Sequence, residues 1–419
     1  INADDDSARV AGELMRANTF FLMLLVACGA EPLGSTSTDA SGPTGANSSG
    51  ETTSTDAPTV ASTVASTEPA SDASGSGGAT DSGGTTNAPM STSTGDPGGT
   101  TTDETDTGGA VPGAFCEPIP ACDGPPPTLP GQLPEDSGYS RGRDMFYIDG
   151  APQWVLAKFT KWGFPLDKDI VGGTVHVFLD RDCAGEWIEI GTAVTTDDGD
   201  HALVEGVEDS GGRVYFEIPA DQALGLGRHR VYLIEDSEWE TAELLIDVVP
   251  KGTPFFVSDV DGTLTTSENE EAWDFLIDVL PDANPFAAEA LSLLASKGYR
   301  PGYITARPEW LDRRTREFLQ VRGFPRGIMH TTTVYEGANG NSAALYKSGE
   351  FAMLRNKGLV PAYVFGNKDS DALAFDNAMI QPLDHRVFFQ FTDVGYGGRR
   401  IDSYEELLDE FDLLPNLCD

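Results

Sequence analysis

A long low-complexity run from Glu31 to Gly113 keeps that part of the chain out of any folded core. It consists mainly of Ser, Thr, Gly, Ala and Pro with scattered acidic residues, and it contains no Lys or Arg. Because it has almost no large apolar side chains, it cannot bury enough surface to offset the entropy of an ordered chain. We therefore predict a disordered tether over residues 29–113, with folded domains only after it.

The residues before the tether have the layout of an export signal. Met15 and Arg16 precede an apolar run, Phe20–Ala27, that is too short to cross a bilayer. The sequence Leu25-Val26-Ala27-Cys28 resembles a bacterial lipobox, so we expect Cys28 to be lipidated. Residues 1–28 are then the signal, with translation starting at Met15; a buried apolar segment is the alternative. The predicted location is the bacterial outer membrane, on its periplasmic or surface face, with the lipid as anchor.

Net charge and cysteine content constrain the partners and the cross-links. The formal net charge of −40 repels nucleic-acid phosphates, so we expect no nucleic-acid partner, and we also expect a monomer. An even set of cysteines in an exported chain predicts one or two disulfides with three possible pairings, and free buried thiols are the alternative. These cysteines are Cys116, Cys122, Cys183 and Cys418.

Residues 135–250 show the period-two alternation of short β-strands, interrupted by Gly and Asp turns. Apolar side chains on one face predict at least five strands, and this spacing favours an immunoglobulin-like β-sandwich. The alternating groups are Val175/Val177/Leu179, Trp187–Ile190, Val214/Phe216/Ile218, Val231/Leu233 and Leu244/Ile246/Val248. No catalytic constellation stands out among them.

Residues 251–419 change to short apolar strands that alternate with amphipathic helices. This pattern predicts an α/β domain with a Rossmann-like parallel sheet covered on both faces. The predicted strands are Phe255–Ser258, Tyr303–Ile304, Ile328–His330, Ala362–Phe365 and Val387–Phe391. Helix starts are predicted at Ser267 with Glu270, Asn284 with Pro285, and Ser403 with Glu406, and helix ends at Gly298, Gly323 and Gly358.

The strongest chemical signal is Asp259-Val260-Asp261-Gly262-Thr263-Leu264-Thr265, directly after the first of these strands. Ligands bind at the carboxyl ends of strands in open α/β sheets. Two carboxylates in one crevice would repel each other strongly, and a hard divalent cation such as Mg²⁺ relieves that repulsion. A solvated turn or a structural calcium loop is the alternative interpretation.

Asp259-Val260-Asp261-Gly262-Thr263 resembles the first motif of haloacid-dehalogenase phosphatases. The resemblance implies that Asp259 is the nucleophile, which forms an aspartyl-phosphate. It implies that Asp261 is the general acid and base, with its main-chain carbonyl on the metal. It also implies that Gly262 and Thr263 bind the substrate.

The other motifs of that superfamily follow in the same order. Thr305 occupies the place of the phosphate-binding Ser/Thr, with Ala306 and Arg307 as further substrate-binding residues. Lys347 matches the catalytic lysine, although Lys357 is also available. Asn367 and Asp371 match the acidic metal-binding motif, with Asp369 as a substitute, so the implied metal ligands are Asp259, Asp261, Asn367 and Asp371.

Finer features resemble lipin-type phosphatidate phosphatases and the C-terminal domain of membrane-associated phosphatidylinositol transfer proteins. They are the Asn in the fourth motif, Gly262-Thr263-Leu264-Thr265, and Phe324-Pro325-Arg326-Gly327. The intervals between motifs are too short for a large cap, which leaves the site open to bulky esters. The resemblance implies a Mg²⁺-dependent phosphatase acting on phosphatidate or a related lipid phosphate. The alternatives are a phosphatase for a soluble or inositol-type phosphate, and a phosphatidate-binding module without turnover.

Overall fold

The computed structural model describes residues 115–132, 139–161, 167–266, 280–392 and 395–418. The predicted signal, Cys28, the tether and the capping box at Ser267 and Glu270 lie outside these residues. Within the described ranges, no helix is both long enough and apolar enough to span a bilayer.

Two β-sheets between Arg141 and Val249 enclose a common core. Strands β1, β3 and β8 form one sheet, and the other has the order β2-β10-β9-β6-β7. The strands are β1 (Arg141–Arg143), β2 (Met145–Ile148), β3 (Trp154–Lys158), β4 (Thr160–Lys161), β5 (Lys168–Asp169), β6 (Thr174–Asp180), β7 (Trp187–Val194), β8 (Arg213–Glu217), β9 (Gly227–Glu235) and β10 (Thr241–Val249). Apolar residues of both sheets, such as Val155, Val177 and Leu244, are fully buried between them. The specifically immunoglobulin-like topology stays a prediction.

A six-stranded sheet follows, in the order β13-β12-β11-β14-β15-β16, and all its pairings are parallel. Its strands are β11 (Phe255–Ser258), β12 (Arg300–Pro308), β13 (Ile328–Thr332), β14 (Tyr363–Gly366), β15 (Arg386–Phe389) and β16 (Arg399–Ile401). The helices are α1 (Ala287–Ser296), α2 (Asp312–Val321), α3 (Gly340–Asn356), α4 (Asp369–Asn377) and α5 (Leu408–Leu413). The predicted α/β class with a parallel sheet is confirmed.

Helices cover both faces of the parallel sheet. Phe255 and Val257 of β11 pack with Phe351 of α3 and Phe375 of α4, whereas Phe256 packs on the opposite face with Phe318 of α2. Successive strand residues point to opposite faces, so a continuous apolar strand is buried on both sides. The carboxyl end of β11 is thus held rigidly in the middle of the sheet.

Among the helix boundaries that the structure describes, the predictions are confirmed with one exception. Gly298, Gly323 and Gly358 follow helices with φ of +97°, +79° and +83°, a region where glycine carries no Cβ penalty. Ser403 and Glu406 form the expected capping box. The prediction at Asn284 was wrong, because α1 begins at Ala287 and the Asn284 side chain is used elsewhere.

Two disulfides join the segment before β1 to the rest of the fold. Cys116 pairs with Cys418 and Cys122 pairs with Cys183, which selects one of the three possible connectivities. The first bond joins this segment to the end of the α/β domain, and the second joins it to the β-domain.

The β-domain also contacts the helix that carries the predicted catalytic lysine. Arg143, the last residue of β1, donates from Nη2 to Oε1 of Glu350 at 2.5 Å. Glu350 lies on α3, one turn after Lys347, and its other oxygen is 2.6 Å from Nδ1 of His330. A buried ion pair therefore connects the β-domain to α3.

Candidate functional site

The loop after β11 holds Asp259 in a fixed position. The Asp259 N–H donates to the carbonyl of Phe365 in β14 at 3.0 Å, which extends the pairing of the two strands by one residue. Gly262 has φ +70°, and its N–H donates to the Thr265 hydroxyl at 2.9 Å. The Asn284 side chain donates to the carbonyls of Thr263 and Thr265 at 2.9 and 3.1 Å. Asn284 therefore braces this loop instead of capping α1.

Lys347 bridges two buried carboxylates. Its Nζ lies 2.7 Å from Oδ1 of Asp259 and 2.5 Å from Oδ1 of Asp371. All three side chains are nearly inaccessible to solvent. The other candidate, Lys357, instead donates to the carbonyl of Phe146 at 2.8 Å. The structure thus brings Asp259, Lys347 and Asp371 together, as the motifs predict.

Burial and charge shift the pKa values of this group in a consistent way. Burial raises the pKa of Asp259 to about 6, the Lys347 charge opposes the rise, and the Asp371 carboxylate adds to it. Burial lowers the pKa of Lys347, but the two carboxylates raise it more, so the ammonium holds its proton. Asp259 is therefore a desolvated carboxylate whose charge is neutralised by one fixed cation.

Asp371 is fixed by the start of α4. Its Oδ2 accepts the N–H groups of Asn367 and Lys368 at 3.0 and 3.2 Å. A Cβ on Gly366 would lie 2.5 Å from the Cβ of Asp371, so this approach requires glycine. Asp369, the substitute ligand, is exposed on α4. A glycine at the end of an apolar strand is visible in the sequence, but the sequence pattern alone assigns no role to Gly366.

Thr263 connects the first and fourth motifs. Its hydroxyl lies 3.2 Å from Oδ2 of Asp259 and 3.1 Å from Oδ1 of Asn367. The hydroxyl of Tyr404 donates to the Thr263 carbonyl at 3.0 Å. Burial, then the charges of Asp259 and Asp371, raise the pKa of Tyr404 far above its ordinary value. No spacing in the sequence points to Tyr404, because it reaches the loop from the other end of the domain.

Arg307 contacts Asp261. Its Nε lies 3.1 and 3.0 Å from the two oxygens of Asp261, its Nη2 lies 2.6 Å from Oδ1, and its Nη1 donates to the Thr315 hydroxyl. Arg307 thus forms an ion pair with the predicted acid, and its substrate-binding role stays a prediction. Thr305 is fully buried and accepts the Arg307 N–H at 3.3 Å, and Ala306 accepts the N–H of Ala338 at 3.0 Å.

The oxygen donors beside Asp259 suit a hard divalent cation. Asp259 and Asn367 present oxygens on either side of Thr263, and oxygen ligands of this kind are those that Mg²⁺ prefers. Asp261 is predicted to ligate through its main-chain carbonyl, while its carboxylate contacts Arg307; the carboxylate of Asp371, the other predicted ligand, contacts Lys347. Across the described ranges, no three His, Cys, Asp or Glu side chains converge as a metal-binding group. Asp259 and Asn367 are therefore the predicted ligands whose oxygens meet at the Thr263 hydroxyl, and the full ligand set stays a prediction.

An open cleft of ≈ 300 Å³ begins at this loop. Gly262 and Asn367 form the wall that it shares with the site. The described residues between β11 and β12 include one α-helix, α1, and those between β12 and β13 include α2.

The geometry defines a buried Asp–Lys–Asp site at the carboxyl edge of a parallel α/β sheet. Residues 256–389 match the family model described as PITM 1-3, LNS2 domain. Membrane-associated phosphatidylinositol transfer protein 1 of Rattus norvegicus is 29% identical over 191 residues, which cover 45% of this chain and 14% of the relative. Protein retinal degeneration B of Drosophila melanogaster is 28% identical over 192 residues, covering 45% and 14%.

These matches support an LNS2-like domain over the residues that form the site. They do not cover the remaining parts of the relatives' sequences. The chain spans about 14% of the length of these curated relatives. Among solved structures, a protein assigned as β-phosphoglucomutase from Thermotoga maritima is similar with a TM-score of 0.26 and 17% identity, over 39% of this chain and all of that one.

Proposed function

We propose that the α/β domain is a Mg²⁺-dependent phosphomonoester hydrolase that works through an aspartyl-phosphate on Asp259. The observation that carries the proposal is the 2.7 Å contact between Lys347 Nζ and Asp259 Oδ1 inside a buried site. A desolvated carboxylate beside a fixed ammonium can approach a phosphoryl dianion without prohibitive repulsion. When bound, Mg²⁺ would supply further positive charge for the phosphoryl oxygens.

The reaction divides into two displacements. In the first, an oxygen of Asp259 bonds to phosphorus as the bond to the alcohol oxygen breaks, and Asp261 gives its proton to that oxygen. In the second, Asp261 takes a proton from water, whose oxygen bonds to phosphorus and releases Asp259 and inorganic phosphate. Because Asp261 is paired with Arg307 in this structure, its carboxyl must leave that pair or share it during proton transfer.

The same ion pair favours a second candidate function, which is binding of a phosphate ester without turnover. Both oxygens of Asp261 contact Arg307, so in this arrangement the carboxyl is engaged by a guanidinium and not held ready for a leaving alcohol. Charge complementarity from Lys347 and the metal would suffice for binding.

The proposed substrate class is phosphatidate or a related lipid phosphate, with a soluble or inositol-type phosphate as the alternative. One of the matched relatives is named as a membrane-associated phosphatidylinositol transfer protein, which supports a phospholipid partner. We further propose that lipidated Cys28 and the tether hold the domain at the outer membrane. Tethering raises the effective concentration at a surface that the acidic chain would not otherwise favour.

The test measures phosphate release by the full chain from phenyl phosphate and from phosphatidate micelles, with and without Mg²⁺. We expect Asp259→Asn to lower the rate at least about 10³-fold, because the covalent step is lost. Asp369→Asn is the matched control and should retain activity, since Asp369 is exposed. Release that survives Asp259→Asn would contradict the proposal, and tight phosphatidate binding without release would favour the second function.

A further inference from the structure

The open cleft beside Asp259 is lined mostly by side chains that have no role in the proposed mechanism. Lys347 contacts Oδ1 of Asp259, whereas Thr263 and Asn367 lie on the Oδ2 side. Asn367 is also a wall of the cleft. A phosphate ester that meets Asp259 would therefore place its alcohol within reach of this space.

Hydroxyl and amide side chains dominate the lining. Besides Gly262, Phe389 and Phe391, the lining residues are Thr265, Thr266, Asn284, Asn367, Gln390 and Thr392. No Lys, Arg, His, Asp or Glu is among these lining residues of the described chain. Hydroxyls and amides donate and accept hydrogen bonds, which suits an alcohol with several hydroxyl groups.

We infer that this cleft is a subsite for an uncharged alcohol that bears free hydroxyl groups near the phosphate. Among the described lining residues, a second phosphate or a carboxylate would meet no cation, and an amine would meet no carboxylate. The volume of ≈ 300 Å³ lies at the lower end of ligand pockets, so it suits a compact polyol better than a pair of acyl chains. The inference rests on the proposed function and selects among its substrates, since phosphatidate itself has no free hydroxyl.

The predicted ligand is a phosphorylated polyol, which is either a free metabolite or the headgroup of a lipid. Two matched pairs of substrates isolate the hydroxyls. Glycerol 3-phosphate and propyl phosphate share a three-carbon skeleton but differ in hydroxyls. Lysophosphatidate and its 2-deoxy analogue, presented in identical detergent micelles, differ only by the one free hydroxyl beside the phosphate.

The test compares kcat/KM of the full chain with Mg²⁺ on these four substrates. We expect each hydroxyl-bearing member to exceed its partner by more than threefold, because a hydrogen bond to a neutral group contributes about threefold to tenfold in binding. A ratio below threefold in both pairs would overturn the inference. Faster turnover of glycerol 3-phosphate than of lysophosphatidate indicates a free polyol phosphate, and the reverse order indicates a lipid headgroup.

Variants locate the effect in the cleft. Thr266 and Thr392 are exposed, and Thr→Val removes each hydroxyl at nearly constant shape. We expect Thr266→Val and Thr392→Val each to lower kcat/KM for glycerol 3-phosphate by about threefold to tenfold and to leave propyl phosphate unchanged. Thr192→Val, at an exposed threonine of β7, is the control and should change neither. Equal losses on both substrates would overturn the assignment of these residues.

Failure of the proposed function gives a different result. If no substrate, phenyl phosphate included, releases phosphate, the hydrolase proposal fails. Calorimetry then decides on the subsite: glycerol 3-phosphate should bind more than threefold tighter than propyl phosphate, and Thr392→Val should abolish that difference. Equal affinities would overturn the inference.

Discussion

Arg307 Nη2 lies 2.6 Å from Oδ1 of Asp261, and Arg307 Nε contacts both oxygens of the same carboxylate. Arg307 is buried and is also joined to α2 through the Thr315 hydroxyl. The orientation of Asp261 is therefore set by a residue that is itself fixed by the sheet and a helix.

Arg307→Met should lower kcat about tenfold and leave KM within about twofold. Arg307 positions Asp261, so its loss should remove part of the rate enhancement that general acid–base catalysis supplies. Steady-state kinetics on phenyl phosphate checks this, with Arg314→Met, at a partly buried arginine of α2 that pairs with Glu317, as the control. A raised KM with unchanged kcat would instead show that Arg307 binds the substrate directly.

Lys347→Met should abolish phosphate release and lower the free energy of unfolding by about 3–5 kcal/mol. The change leaves Asp259 and Asp371 buried with no cation between them. Urea unfolding and phosphate release measure the two effects. Lys357→Met is the matched control, because Lys357 contacts Glu205 and the Phe146 carbonyl. Activity that disappears in the Lys357 variant and persists in the Lys347 variant would reverse the assignment.

The pH dependence of kcat/KM should report the carboxyl of Asp259. Its pKa of about 6 means that the carboxyl keeps its proton below that pH and becomes nucleophilic above it. At limiting Mg²⁺ we expect activity to rise with pH to a plateau, with a midpoint near 6. Since Mg²⁺ competes with the proton, the midpoint should move to lower pH as Mg²⁺ increases. A midpoint independent of Mg²⁺ would argue against Asp259 as a metal ligand.

The sequence was sufficient for the sheet and for the residues that end its strands. Phe255–Ser258 is apolar on both faces because both faces are covered, and that pattern is visible in the sequence. Asp259 and Asp371 each follow an apolar strand, so their meeting at one sheet edge was predictable. Lys347 could be separated from Lys357 only by the structure.

The side-chain partners could not be predicted because they join distant segments. Asn284 before a proline has the local signature of an N-cap. Its side-chain amide instead donates hydrogen bonds to carbonyls of the loop after Asp259. Arg307 and Tyr404 are similar cases, since each is selected by three-dimensional proximity. Local sequence patterns indicate the secondary structure that a segment favours. They do not indicate which distant group its side chains will contact.

The disulfides should contribute separately to stability. Replacing Cys116 and Cys418 by serine should lower the free energy of unfolding by about 2–5 kcal/mol, because the bond restricts a long loop of the unfolded chain. The Cys122 and Cys183 pair, which closes a shorter loop, is the comparison. Denaturant unfolding measures both losses. Peptide mapping of the oxidised protein checks the connectivity, and a Cys116–Cys122 peptide would contradict it.

Glu350 provides a stability test of the contact between the β-domain and α3. Burial raises its pKa, but Arg143 and His330 lower it more, to about 2, below the ordinary value of 4.5. A carboxyl with a depressed folded pKa binds fewer protons in the folded state, so its contribution is complete above pH 4.5 and is lost as pH falls toward 2. The shift corresponds to a contribution on the order of 3 kcal/mol.

Glu350→Gln should therefore lose less stability than the parent protein when the pH falls from 7 to 3, and it should be less stable at pH 7 because Arg143 loses its buried partner. Urea unfolding at the two pH values measures both differences. Glu317→Gln, at an exposed glutamate of α2, is the control and should follow the parent protein. Because Glu350 lies one turn from Lys347 on α3, we also expect lower kcat in Glu350→Gln. Parallel stability losses in both proteins would show that the β-domain contact contributes nothing to holding this helix.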